Sequence, residues 1–435
     1  MDHIFVESTV SQIMTTNMKD KIQTTTKKRE LKLQHVLIII AICCTKVLFR
    51  VTIPSRFIIS HVTSPEIFPL DKLSQIKYFP HLIPPHRSTE SIIESVANPF
   101  SDITLRQFLS NSQGFHLAMA PAFFGYYVYF GALTTFNENV LLPDEIKEGK
   151  VMLPIFNATA NAIGDEDQEQ AQESLLKSVA GTSAGAMAAA LIARGLNPRE
   201  SAEFVSSMTL TKFADPLGLG GMLKGNLFEE IMVNRLKKHK PDGENFMLED
   251  SIIPVAFTGF DLLSMSEKIL TEGCMGRAAR ASATFPVLFQ PVLWTDSETK
   301  IEHDGDGYLA RLKRRFIPDA LLIDGGVTDR AGIHGLAALL PHVDNKRIVS
   351  LAVKGVGSQG PLGPSEMPIG LHTSEVVSIS IENAPDCGPW AMSNGPRAVQ
   401  AARDAIKAVL DLPMYKGEED GHYVVRVDAT AFIPA

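Results

Sequence analysis

The segment that most constrains the fold runs from Leu175 to Ala193. Leu175 to Ala180 reads as a short buried strand, and Ala184 to Ala193 is dominated by alanine, the strongest helix former. Only Gly181-Thr182-Ser183 separates the two. A strand that turns into a helix so abruptly strains the residue at the apex, and side chains two positions to either side clash unless they are very small. Gly181 and Gly185 meet that need around Ser183. A Gly-x-Ser-x-Gly string arises by chance in roughly one chain of this length in eight, so the strand before it and the helix after it carry the discrimination. In that setting Ser183 lies at a helix N-terminus, where free N–H groups and the helix dipole favour a developing negative charge.

Elsewhere, apolar strands alternate with helical patterns. Phe115 to Met119, Ile252 to Phe257, Ala320 to Ile323 and Ile348 to Val353 read as buried strands. The aromatic stretch Phe123 to Phe136 suits a buried helix, its rings serving as core, as the wall of an apolar pocket, or as both. Leu217 to Gly221 is glycine-rich and reads as a loop, and Gly164 to Glu173 as an exposed loop or helix start. This alternation predicts an α/β protein with a largely parallel sheet covered on both faces. Four regions follow: a basic and apolar targeting or membrane-associating segment at 1–60, a proline-rich linker or wrap at 61–104, a catalytic domain at 105–415, and a C-terminal tail at 416–435.

With 45% hydrophobic residues among 435, the chain has ample material for such a core. A net charge of -8 leaves no chain-wide basic field, which argues against nucleic acid as a partner. The four cysteines are scattered, with Cys43-Cys44 inside an apolar run, so neither a disulfide framework nor a zinc site is expected. The run Val36 to Cys44, which resumes at Val47 to Phe49 and follows Lys27-Lys28-Arg29, is shorter than the roughly 20 residues of a span and is broken by Lys46. It suits a signal peptide or anchor, an interfacial helix or a buried element, and membrane association is the expectation it supports.

A second chemical signal is Leu321-Leu322-Ile323-Asp324-Gly325-Gly326. At the C-terminal end of a parallel strand, Asp324 points into the crevice where α/β proteins hold ligands, and there it can act as base toward Ser183. Asp-Gly is also ordinary turn chemistry. A Ser-Asp pair works only through a short hydrogen bond and an environment that raises the basicity of the acid. A triad with a later histidine (His334, His342 or His372, of which His334 is nearest) is the alternative. His303 to Gly307 reads as a solvated turn without the spacing of a cation loop, and Arg311 to Arg315 as a charged face or a contact to lipid phosphates.

With both motifs placed, the chain resembles the patatin-like phospholipase family. Besides Gly181 to Gly185 and Asp324-Gly325-Gly326, it carries Arg280-Ala281-Ser282-Ala283-Thr284-Phe285-Pro286 continuing to Val292, and Leu223-Lys224-Gly225-Asn226, both similar to family segments. The resemblance covers about Gly114 to Val353. It implies a three-layer α/β/α domain, a Ser183–Asp324 dyad, no metal or organic cofactor, and hydrolysis of phospholipid, galactolipid or neutral-lipid esters through an acyl-enzyme. The partner it implies is a lipid at a membrane or droplet surface. One departure matters: where the family has a glycine-rich oxyanion loop with a basic residue, this chain has Ala120-Pro121-Ala122-Phe123-Phe124-Gly125. Pro121 has no N–H to donate, which leaves the backbones of Ala120, Ala122, Phe123 and Ala184 as candidate donors. Val327-Thr328-Asp329-Arg330 likewise lacks the asparagine common there. These departures motivate an alternative, a catalytically silent lipid-binding or scaffolding relative.

Overall fold

The computed structural model describes residues 99–140, 175–218, 220–237, 245–295, 318–340, 346–354, 367–372 and 374–434. The chain divides into units Met1–Ala97 and Asn98–Ala435, and all described residues belong to the second. The N-terminal apolar segment, Gly164 to Glu173, His303 to Gly307, Arg311 to Arg315 and His342 lie outside the described residues.

The strands, in chain order, are β1 (Phe100–Thr104), β2 (Phe115–Met119), β3 (Leu176–Thr182), β4 (Pro216–Gly218), β5 (Gly221–Leu223), β6 (Val255–Asp261), β7 (Ser266–Leu270), β8 (Val287–Phe289), β9 (Val292–Trp294), β10 (Ala320–Asp324), β11 (Arg347–Val353), β12 (Glu375–Glu382), β13 (Pro413–Lys416) and β14 (His422–Asp428). The α-helices are α1 (Leu105–Leu109), α2 (Tyr126–Asn139), α3 (Ala184–Ala193), α4 (Pro198–Ser206), α5 (Leu210–Phe213), α6 (Asn226–Lys237), α7 (Met275–Ser282), α8 (His334–Leu339) and α9 (Gly395–Val409). The main sheet runs β1-β13-β14-β12-β11-β2-β3-β6-β10-β9, with β7 also on β6. Its centre, from β14 to β6, is parallel throughout, and the antiparallel strands lie at its flanks.

Alternate residues of each central strand serve opposite faces, as the period of a strand requires. Leu117, Met119, Val349, Leu351, Val377 and Ile379 join the large core formed with α2, α3, α7 and α9. Ala118, Ala180, Ile348 and Val376 pack on the other face with Ile333 and Leu336 at α8. The result is the sheet covered on both faces that the alternation predicts, in the three-layer α/β/α arrangement that the family resemblance implies. The expected helix in the aromatic stretch is α2, in which Tyr127, Tyr129, Phe130 and Phe136 are fully buried.

Three features differ from expectation. Residues 216–223 contain a small β4-β5 hairpin, with β8 parallel to β5, where glycine content suggested a loop. The sheet extends past both ends of the domain drawn from the sequence: β1 lies within the supposed linker, and β14 within the supposed tail is an interior strand between β12 and β13. Third, β10 is antiparallel to its neighbours.

The register shows why the reversed β10 suits a site. On one edge of β6, β7 pairs with Phe257 to Asp261. On the other edge β3 pairs with Val255 to Thr258, ending at Thr182 opposite Thr258, and β10 pairs with Gly259 to Asp261, ending at Asp324 opposite Gly259. Thus β3 and β10 share one edge of β6 end to end and run toward each other. Ser183 and Asp324 emerge at the junction.

Candidate active site

Ser183 stands at the apex between β3 and α3 with φ 58° and ψ −120°, a conformation that a non-glycine residue adopts only when its surroundings hold it there. Those surroundings are tight. A Cβ on Gly181 would lie 2.4 Å from the carbonyl of Gly185, and one on Gly185 would lie 2.1 Å from the oxygen of Met119. At the opposing strand end, a Cβ on Gly325 would lie 2.1 Å from Thr258 O, and one on Gly326 would meet Asp324 Oδ1 at 3.0 Å and Pro121 Cβ at 3.1 Å. The glycines flanking both motifs are therefore demanded by the close meeting of β2, β3, β6 and β10.

The structure brings the two predicted residues together. Ser183 Oγ donates a 2.6 Å hydrogen bond to Asp324 Oδ2, and Asp324 Oδ1 accepts one of 2.8 Å from Gly326 N. Asp324 is buried, and desolvation raises its pKa to about 6 even though both hydrogen bonds favour the ionised form. It is therefore a stronger base than a solvated carboxylate and is still ionised at neutral pH. His334 is elsewhere, its Nδ1 2.6 Å from Glu267 Oε2. That contact lifts its pKa, against the opposing effect of burial. Among the described residues, the hydrogen bonds of Ser183 Oγ and the Asp324 carboxylate are made with each other and with Gly326 N, and none is made with a histidine.

Two supporting residues were not assigned roles from the sequence. Ser282 Oγ accepts from Ser183 N at 3.0 Å and donates to Thr258 O at 2.6 Å, tying the strained residue to β6. Asp329, fully buried, accepts from Thr182 Oγ1 at 2.9 Å and Thr258 Oγ1 at 2.8 Å, as well as from the backbone N–H of Ile333 and His334. It therefore grips the last residue of β3 and its partner on β6, directly beneath the apex. Ser282 sits in the Arg280 to Val292 segment and Asp329 in the asparagine-lacking segment, so the motifs pointed to the right stretches without revealing the contacts.

Of the four candidate oxyanion donors, Ala120 is ruled out. Its N–H donates to Leu351 O at 3.0 Å as a continuation of the sheet, and its carbonyl accepts from the Tyr129 hydroxyl. Ala122, Phe123 and Ala184 border the same cavity as Ser183. Ala184 is the first residue of α3, where an N–H has no acceptor within the helix.

Residues 169–337, which include Ser183, Ser282, Asp324 and Asp329, match the family described as Patatin-like phospholipase. This segment is a patatin-like domain. The match places it among lipid hydrolases in general. Among solved structures the chain is similar to VipD from Legionella pneumophila, at 12% identity over 69% of this chain and 67% of that one, with a TM-score of 0.38. It is also similar to the ExoU-SpcU complex of the type III secretion system of Pseudomonas aeruginosa, at 12% identity and a TM-score of 0.28. There the match covers 69% of this chain and about half, 52%, of the other. No curated protein matches the chain.

Beside Ser183 the patatin-like domain holds a small, open-mouthed cavity lined by aromatic and aliphatic side chains. Phe123, Phe124 and Tyr126 belong to its wall, whereas Tyr127, Tyr129 and Phe130 belong to the core, so the aromatic stretch divides between the two roles weighed for it. No group of His, Cys, Asp and Glu among the described residues is arranged to hold a metal ion. No helix among them is long and apolar enough to cross a membrane.

Proposed function

We propose that this chain is a serine lipid acyl hydrolase that works through a Ser183–Asp324 dyad. The observation that carries the reading is the 2.6 Å bond from Ser183 Oγ to a buried carboxylate with raised pKa, placed at an apolar cavity. As Oγ bonds to the ester carbonyl carbon, its proton passes to Asp324 and the carbonyl electrons move onto oxygen. That oxyanion faces the N–H groups of Ala122, Phe123 and Ala184 and the N-terminus of α3. Collapse expels the alcohol, which takes the proton from Asp324 and leaves an acyl-Ser183 ester. Water then attacks with Asp324 again as base, releasing the fatty acid and restoring the serine.

The substrates in this reading are acyl esters of phospholipids, galactolipids or neutral lipids, met at a membrane or droplet surface. Its test is fatty-acid release from a panel of such lipids. Wild type releases acid from at least one class, whereas folded Ser183→Ala releases none and folded Asp324→Asn is slower by about 10²-fold or more. A folded wild type inert on every lipid contradicts it. Recovery of the full-length protein entirely in the soluble fraction at low salt, without detergent, contradicts the surface association.

A second reading, a catalytically silent lipid-binding relative, is favoured by one observation: Pro121 has no N–H and that of Ala120 is spent on Leu351, which thins the oxyanion hole. Binding of fatty acid without turnover is its signature.

A further inference from the structure

The cavity is lined by two aromatic groups of different exposure. Phe123, Phe124 and Phe285 are half-buried, and the ring of Phe123 lies 5.0 Å from each of the other two. Phe213, Phe228 and Phe289 are only 1%, 5% and 6% exposed, with ring separations of 5.8, 6.4 and 5.7 Å. The first group is the more exposed part of the lining and the second, the inner wall, is the buried part.

That inner wall is braced by two buried ions which the dyad does not use. Asp215, two residues beyond Phe213, accepts from the N–H groups of Gly225, Asn226 and Leu227 at 2.7, 2.7 and 3.1 Å, fixing the start of α6 just before Phe228. Burial pushes the Asp215 carboxyl up, but the backbone donors outweigh it and hold the carboxyl below its ordinary range. From the other side Arg280 donates to Lys224 O at 2.6 Å, Gly225 O at 3.2 Å and Gln290 O at 2.8 Å, and also to Thr284 Oγ1. Its guanidinium lies 5.5 Å from the centroid of the Phe289 ring. One turn, Lys224 to Leu227, is thus gripped through its N–H groups by an anion and through its carbonyls by a cation. This accounts for Leu223-Lys224-Gly225-Asn226 and for Arg280, which stand apart from the reacting atoms.

We propose that Phe213, Phe228 and Phe289 form the closed end of an acyl channel and set the longest acyl chain that Ser183 attacks, with Asp215 and Arg280 as positioning residues for that wall. This rests on the hydrolase reading and adds to it a substrate of limited chain length, bound with its methyl end against a rigid wall. Each methylene buried on the way to the wall raises kcat/KM about fourfold, and each one beyond it lowers kcat/KM because a braced aromatic wall does not yield.

The test is kcat/KM of the full-length protein on p-nitrophenyl esters from acetate to palmitate. The wild-type profile climbs and then breaks. Phe213→Ala moves the break to longer chains, Phe213→Trp moves it to shorter ones, and Arg280→Lys, which loses part of the brace, flattens it. Phe289→Leu stands in if Phe213→Ala does not fold, with the same shift to longer chains. Opposite shifts from a smaller and a larger residue are not what general destabilisation produces. A wild-type profile with no break, or a break unmoved by folded small and large variants, overturns the wall while leaving the hydrolase reading intact. A folded wild type inert on every ester overturns both.

Discussion

At the scale of single residues, the reactivity of Ser183 turns on the environment of one carboxylate. Because Asp324 must be ionised to take the Ser183 proton, kcat/KM rises with pH through about 6 and levels off above it. A pH profile checks this, and activity persisting undiminished at pH 4 speaks against the assignment. Replacing Asp324 by Asn lowers kcat by about 10²- to 10⁴-fold, the usual contribution of a general base. The same burial has a thermodynamic sign. A folded-state pKa above the ordinary 3.8 means that the folded protein holds the proton more tightly. The stabilising contribution is complete below 3.8 and is lost as pH rises through about 6, leaving a cost of about 3 kcal/mol at pH 7. The Tm of Asp324→Asn relative to wild type therefore increases between pH 4 and pH 7, and a difference independent of pH contradicts the raised pKa. Ser282→Ala leaves Ser183 N–H and Thr258 O without their shared partner, at a cost of about 1–3 kcal/mol. It slows acylation with little change in binding of a fatty acid, which a comparison of kcat with fatty-acid Kd reads out.

At the scale of elements, the turn from β3 into α3 was legible because its requirements are local: apolar strand, small residues about the apex, alanine-rich helix. The limits of α3, Ala184 to Ala193, coincide with the alanine run. The direction of β10 was not legible, because nothing in Ala320 to Asp324 states which edge of which strand it will meet. Only the shared register on β6 shows that Asp324 arrives head-on toward Ser183. The hairpin at residues 216–223 was hidden by its glycines, which favour loops by composition but here permit close pairing of β5 with β8; a Cβ on Gly221 would lie 2.4 Å from Phe289 C. Gly185→Ala tests the close packing of the elements directly. Its methyl group would enter the β2 backbone at Met119, so the variant is destabilised by at least the 1–3 kcal/mol typical of overpacking, measured by chemical denaturation.

At the scale of the whole molecule, a parallel sheet covered on both faces was legible from alternation, but its outer limits were not. The strand β14 mixes charged and polar residues with valines (His422, Tyr423, Arg426, Asp428) and so resembles a surface tail. In the fold it hydrogen-bonds along its length to β12 and also pairs with β13. Truncation after Gly417 removes this interior strand and exposes the edge of β12, so the shortened protein aggregates or fails to fold, whereas a true tail would be dispensable. The apolar cavity likewise emerges only from the assembled fold, since its wall draws on α2, α5, α6 and β8, spread between Tyr126 and Phe289. The central claim, that these elements assemble to make Ser183 a nucleophile activated by Asp324, is tested most directly by reacting the full-length protein with a fluorophosphonate and locating the adduct by mass spectrometry. The expected result is a single adduct on the peptide bearing Ser183, formed rapidly at neutral pH and lost in folded Asp324→Asn. A folded wild type that stays unlabelled, or one labelled equally well without the Asp324 carboxylate, contradicts it.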